Sequence, residues 1–288
     1  MKQNLHQKNV KIYIPNQRGK ENWIHTWIVL VQNIVVSKDL IMQLFKRDFL
    51  MAYKKSFLGM SWIILTPILG IIGWVIMNAT GIINPGDVGI PYPAYVLLST
   101  SIYALFMNFF TGAAGTLTAG SGFILQVNFA HDILLIKQLL QQFAGFVISF
   151  ILTIIILLVF GVVPSWMIIL FPVLIVPMMM LGAAIGLLTS IINVVATDIQ
   201  KAITFIMGLL MYITPVIYSS DVSDPVLSRI IKWNPLTYLI GAVRDTMIYG
   251  KYEHWNGYLM SSLLSLIIFL VSWRLFYVSE QKVIEKMI

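Results

Sequence analysis

The sequence predicts an all-α integral membrane protein with six transmembrane helices, an N-terminal amphipathic interface helix and a short re-entrant helical hairpin before the last span. Three observations predict it. The 288 residues are 58% hydrophobic and 11% charged, against about 45–50% and about 25% in a soluble domain; too few polar side chains remain to coat a water-facing exterior. The charges are missing from long blocks, as they must be where each Asp, Lys or Arg at a bilayer centre costs roughly 3 kcal/mol. Threading those blocks as alternating spans collects most basic residues on one side. No cysteine is present, which removes disulfide frameworks and thiolate chemistry.

Taken in chain order, residues 1–37 are basic, and their longest apolar stretch, Trp27 to Val31, is too short for a signal-peptide core. They read as a cytoplasmic extension without an assignable role, and 38–288 as the membrane domain. The interface helix occupies 38–55: Ile41, Leu44, Phe45, Phe49 and Ala52 share one face, and Asp39, Lys46, Arg47 and Lys54 the other. Asp48 and Lys55 break that pattern by falling on the apolar face. The basic face serves either as a plain juxtamembrane anchor or as a contact for lipid headgroups.

Ser56 to Gly86 is charge-free and ends at the turn Asn84-Pro85-Gly86-Asp87, giving a span near 59–83. Val88 to Ala130 gives a second near 94–118, its start delayed by Pro91 and Pro93. Gln138 to Thr197 has 60 residues without a formal charge; one helix of that length is roughly three bilayer cores long. Gly161, Pro164 and Ser165 supply the turn, so the spans fall near 140–161 and 166–195, the latter kinked or broken at Pro172 and Pro177. A fifth span fits 202–219 and a sixth 257–277. Between the last two, Ser223-Asp224-Pro225 starts a short amphipathic helix, Asn234-Pro235 breaks it, and Leu236 to Tyr249 makes a second that carries Arg244 and Asp245. That pair either satisfies itself or meets an anionic ligand.

Fifteen of the 19 Lys and Arg lie on one side of these spans, which by the positive-inside rule makes both termini cytoplasmic. The net charge of +7 is thus topology and lipid contact, with no call for nucleic acid. The exceptions are Arg229, Lys232, Arg244 and Lys251 in the outer segment 220–256. On the cytoplasmic side, the loop 121–137 is apolar, with Asn128, His131, Asp132 and Lys137 as its thin polar surface. Either a partner protein covers it, or it is the frayed ends of two spans. Gly182 and Gly186 form a small-xxx-small pair that admits a close helix neighbour, in the same chain or in a second copy.

Some chemistry is excluded. There is no G-x-x-x-x-G-K-[ST] phosphate loop, and the four histidines have no metal-ligand spacing. Catalytic and metal-binding residues are therefore not assigned, and no cofactor belongs to this chain. No Asp, Glu or Lys lies within the six spans, which disfavours ion-coupled transport. Trp62, Tyr103 and Tyr212 are candidates for stacking on sugar rings, whose apolar faces pack on aromatic ones.

The arrangement resembles the transmembrane subunit of ABC-2-type polysaccharide exporters over residues 38–285. The most specific pieces are Phe45-Lys46-Arg47-Asp48-Phe49 through Tyr53-Lys54-Lys55-Ser56-Phe57-Leu58-Gly59-Met60-Ser61-Trp62 to Pro67, then Thr214-Pro215-Val216-Ile217-Tyr218, and Asn234-Pro235-Leu236 followed by Arg244. The resemblance implies a homodimeric half-channel in a bacterial cytoplasmic (inner) membrane, working with two copies of a separate ATP-binding subunit that holds the ATP and Mg. Its cargo would be a polyprenyl-diphosphate-linked glycan of O-antigen, teichoic acid or capsule type. It makes the loop with Asn128, Phe129, His131, Asp132 and Lys137 the coupling contact with that subunit. Lys46, Arg47 and Lys54 become the diphosphate or headgroup contact, and Asn234, Pro235 and Arg244 the outer hairpin. Phe129-Ala130-His131-Asp132 stands where the family usually shows Phe-Pro followed by a basic and an acidic residue. The rival readings are an ABC-2-type exporter of a drug or small lipid, a membrane-embedded glycan-lipid transferase, and a structural subunit of a larger complex.

Overall fold

The fold comes from a computed structural model, which describes residues 22–54, 59, 61–119, 132–193, 196–221 and 224–285. Among these residues the regular structure is entirely helical. Helix α1 (Trp23–Val36) bends by 62° into α2 (Lys38–Lys54), and α3 is Ser61–Ala79. Helix α4 is Tyr92–Ala114 and α5 is Asp132–Val159. Helix α6 (Val176–Asn193) follows a 3₁₀ turn, Trp166–Leu170, and one helical turn, Phe171–Leu174. Helix α7 (Thr197–Leu209) tightens into the 3₁₀ turn Leu210–Ile213; α8 (Pro225–Trp233), α9 (Pro235–Tyr249) and α10 (Trp255–Glu285) complete the chain.

Four segments are long and apolar enough to cross a bilayer: Tyr92–Ala114, Asp132–Val159, Trp166–Asn193 and Trp255–Ser279; the bent α1–α2 pair is a fifth if taken as one span. They correspond to four of the six spans expected from sequence. The other two expected spans, 59–83 and 202–219, are represented by the shorter α3 and by α7 with its 3₁₀ extension. Helix α5 begins at Asp132, eight residues before its expected start, so Asp132 and Lys137 belong to its first turns and not to a loop.

The local signals act as their chemistry demands. Gly161, at φ 75°, ends α5 in a Schellman turn, with Val162 N donating to Leu157 O at 2.9 Å and Gly161 N to Leu158 O at 3.0 Å. Pro172 and Pro177 lie on either side of the break between the turn Phe171–Leu174 and α6. Asp224 caps α8 by accepting from Leu227 N at 2.7 Å, and Asn234 caps α9 by accepting from Leu236 N at 3.0 Å; each cap is followed by proline at the first helical position.

Helix α4 is the buried axis of the bundle, enclosed by α3, α5, α6, α7 and α9. Its closest neighbour is α6, and glycine permits the approach. A Cβ at Gly182 would lie 2.5 Å from Phe106 O, and one at Gly186 would collide with Phe110 O and come within 2.7 Å of Ala113 Cβ. The small-xxx-small pair is therefore filled by α4 of the same chain.

The expected N-terminal extension includes helix α1, which is packed against the membrane domain. Helix α1 packs on α5, buries Thr26 and Leu30, and sets Trp27 edge-on against Trp273 of α10 with ring centroids 5.5 Å apart. The Arg274 guanidinium lies over the Trp23 ring, 4.1 Å from its centroid. The signal for this helix was present in the sequence: residues 22–37 contain no Asp, Glu, Lys or Arg.

Candidate functional site

Three helices frame a cleft of about 510 Å³, within the size range of ligand sites. Helix α3 contributes Trp62, Thr66, Pro67, Gly70 and Trp74; α4 contributes Thr100, Ser101, Ala104 and Asn108; α5 contributes Gln142, Gly145, Phe146 and Ser149; Met211 closes one edge. Pro67 inside α3 removes one backbone donor and frees a carbonyl in the preceding turn. The wall includes the rings of Trp62, Trp74 and Phe146 together with hydroxyls and two amides, and none of these lining residues is charged. Such a surface suits a neutral polyhydroxylated chain, whose ring faces stack and whose hydroxyls exchange hydrogen bonds.

The three aromatics singled out from sequence separate here. Trp62 lines the cleft and is 46% exposed. Tyr212 is half exposed and meets Trp74 edge-on at 5.9 Å, beside the cleft. Tyr103 is withdrawn: it is buried and its hydroxyl donates to Met207 O of α7, so it ties two helices together and presents no ring for stacking. Sequence reasoning missed Asn108 and Gln142, and did not single out Trp74 from the other aromatics near the span ends. Amides in otherwise apolar spans were the available signal, since an amide facing lipid is costly.

At the opposite end from α8 and α9 the basic residues gather. Lys46 and Arg47 are exposed on α2; Lys54 ends that helix, and its side chain lies outside the described residues. Asp48, the residue on the apolar face, is explained by an inward partner. Lys137 Nζ donates to Asp48 Oδ2 at 2.9 Å, and Arg47 Nε to Asp48 Oδ1 at 2.8 Å. Burial pushes the Asp48 carboxyl up, but the hydrogen bonds and charges of Arg47 and Lys137 outweigh it and hold the group below the ordinary carboxylate value.

Of the residues expected to touch a partner subunit, Asn128, Phe129 and His131 lie outside the described residues. Asp132 and Lys137 are buried, at 0% and 6% exposure. Trp273 Nε1 donates to Asp132 Oδ1 at 3.2 Å. Both side chains thus point into this chain, which corrects the expectation that they form a partner surface.

The hairpin of α8 and α9 is a latch. Residues Thr214 to Ile217 run buried but non-helical, and their carbonyls need donors from elsewhere. Arg244, 5% exposed, donates through Nη1 to Pro215 O at 2.9 Å and to Tyr95 Oη at 2.7 Å, and through Nε to Asp245 Oδ1 at 2.8 Å. Tyr92 donates to Ile217 O at 3.1 Å and Tyr95 to Tyr218 O at 2.8 Å. Asn234 Nδ2 donates to Thr214 Oγ1 at 2.8 Å, and Pro235 follows it as the first residue of α9. Arg244 and Asp245 therefore pair, as one of the two sequence readings had it. Among the described residues no group of three or more His, Asp or Glu side chains comes together to hold a metal.

A family model described as "ABC-2 type transporter" matches residues 39–248. The chain is also similar to the O-antigen export system permease protein RfbA of Myxococcus xanthus, 25% identical over 79% of this chain and 85% of that protein. Two proteins of the same name from Klebsiella pneumoniae are each 24% identical over 75% of this chain and 83% of theirs.

Proposed function

The chain belongs to the ABC-2 type transporter family, and from that premise we propose that it is the membrane subunit of an exporter moving a lipid-linked polysaccharide outward across a bacterial cytoplasmic membrane, driven by ATP hydrolysed on a separate subunit. The observation that carries the cargo reading is the cleft between α3, α4 and α5: uncharged, lined by Trp62, Trp74, Asn108 and Gln142, and opening beside Tyr212. Likeness to O-antigen export permeases over three quarters of the chain supports the same cargo.

In this reading two copies associate so that their clefts bound a shared conduit. Gly208 of α7 would find no neighbour for a Cβ within its own chain, and that open surface is where a second copy would pack. Lys46 and Arg47, exposed on α2, meet the lipid diphosphate electrostatically. Cargo movement is driven by ATP and not by ion coupling, in keeping with a cleft that is lined by no charged side chain. The chain itself is not an enzyme, and two copies of the ATP-binding subunit dock on the segment around Asn128, both termini being on that side.

The test is reconstitution with the ATP-binding subunit in proteoliposomes that carry an undecaprenyl-diphosphate-linked glycan. ATP-dependent appearance of glycan on the far side supports the proposal, and Lys46→Glu with Arg47→Glu weakens it while leaving the complex assembled. A cysteine at Asn128 should crosslink to the ATP-binding subunit. Sugar transfer by the chain alone, without ATP, would identify a transferase and overturn the proposal.

A further inference from the structure

The basic end of the bundle is tied together by contacts that the export scheme does not use. Asp132, fully buried at the start of α5, accepts from Trp273 Nε1 of α10 at 3.2 Å, and Asn33 Nδ2 of α1 lies 3.5 Å from its other oxygen. Five residues on, Lys137 reaches Asp48 of α2 at 2.9 Å. Between the two polar contacts, Ile133 packs into an apolar cluster with Ile41 and Leu44 of α2. The partners stand 89 to 141 positions apart in the chain.

An apolar contact between two helices tolerates sliding, because any apolar neighbour serves nearly as well. A buried ion pair does not: each charge left alone in a low dielectric is costly, and fixing register is the best-attested use of such pairs. Lys137 has a side-chain exposure of only 8%, against 27% for Asp48, so it is the ammonium that water cannot readily reach if the pair opens. Helix α5 itself runs 28 residues without a proline, so no missing backbone donor interrupts the ladder that joins its first turns to the rest. An element clamped in this manner on α2 and α10 moves with them.

We propose that Asp48, Lys137 and Asp132 are positioning residues that fasten the first turns of α5 to the interface helix α2 and to α10, so that a push delivered where the chain enters α5 reaches α2 as a rigid-body movement. The proposal rests on the reading that the ATP-binding subunit docks on the segment before Asp132. Nucleotide-driven motion of that subunit is thereby converted into motion of the helix that bears Lys46 and Arg47. A purely structural pair would hold the fold together without moving α2 in step with ATP.

The experiment uses the full chain with its ATP-binding subunit in proteoliposomes. Because the chain has no cysteine, Gln43→Cys on the exposed side of α2 accepts a single environment-sensitive thiol fluorophore, and ATP with Mg and vanadate is the probe. We expect ATP to change the signal in the otherwise native chain, and the change to fall roughly fivefold or more in Lys137→Gln while the ATP-binding subunit still co-purifies. Asp48→Asn, which keeps the shape and removes the charge, should show the same loss, and Lys137→Arg should retain the response. An undiminished response in Lys137→Gln and Asp48→Asn with the partner bound overturns the proposal, as does a native complex in which ATP leaves the α2 signal unchanged. If the native chain retains no ATP-binding subunit, the underlying reading falls and the proposal with it; co-purification separates that failure from the others.

Discussion

Replacing Gly186 by alanine puts a number on the closeness of α6 to α4. The added Cβ collides with Phe110 O and lies 2.7 Å from Ala113 Cβ and 3.0 Å from Ala114 N. Two of these three atoms are backbone within the buried α4, so no side-chain rotation relieves the clash and the helices must separate. Overpacking of this kind costs about 1–3 kcal/mol, and rigid neighbours place Gly186→Ala at the upper end. Against that stands about 1 kcal/mol gained when alanine replaces glycine inside a helix. The net is a destabilisation of about 2 kcal/mol. Gly73→Ala is the matched control, for its Cβ meets nothing within 4 Å and only the propensity gain remains. Thermal unfolding of the purified chains in one detergent should lower the midpoint for Gly186→Ala and raise or preserve it for Gly73→Ala. Equal midpoints for the two variants would refute the argument that glycine sets the α4–α6 spacing.

Removing Arg244 as Arg244→Leu strips donors from Pro215 O and Tyr95 Oη and should cost roughly 3 kcal/mol; Arg244→Lys should rescue little, because an ammonium cannot reproduce the guanidinium fork, and unfolding midpoints read both. Tyr103→Phe should lose about 1 kcal/mol of stability with its hydrogen bond to Met207 O and leave the proposed glycan export intact. Trp62→Ala should do the reverse, slowing export at nearly native stability, so a slowed Tyr103→Phe would return that ring to the conduit. Asp48 has a lowered carboxyl pKa when folded, so its contribution is full above the unfolded value of about 3.9 and is lost as pH falls from there through the folded value. Acid titration of the unfolding midpoint should show a shallower fall below pH about 4 in Lys137→Met, and an unchanged slope would remove the pair from the acid response.

Much of the architecture was legible because its causes are local. The cost of a charge in hydrocarbon marks spans without reference to any neighbour, and caps such as Asp224-Pro225 and Asn234-Pro235 act within three residues. The N-terminal helix was legible too, in the uncharged run 22–37, although the basic residues before it give residues 1–37 as a whole the composition of an extension. Asp48 was the most informative irregularity: a carboxylate on the apolar face of an interface helix requires a cation, and Lys137 lies alone in a charge-poor stretch 89 positions later.

The sequence by itself determined that this protein is an all-helical membrane protein, where most of its helices run and which end is basic; it carries no phosphate-loop motif and no Asp, Glu or Lys in the expected spans. Only the tertiary structure decided which residues face protein and which face outward: that Gly182 and Gly186 meet α4 of their own chain, that Tyr103 is a tie and Trp62 a surface, that Arg244 latches a buried peptide, and that Lys137 points at α2. The physical reason is that lipid tails and a protein interior are equally apolar. Hydrophobic pattern separates membrane from water, and the side-chain contacts that separate lipid from protein are made between residues far apart in the chain.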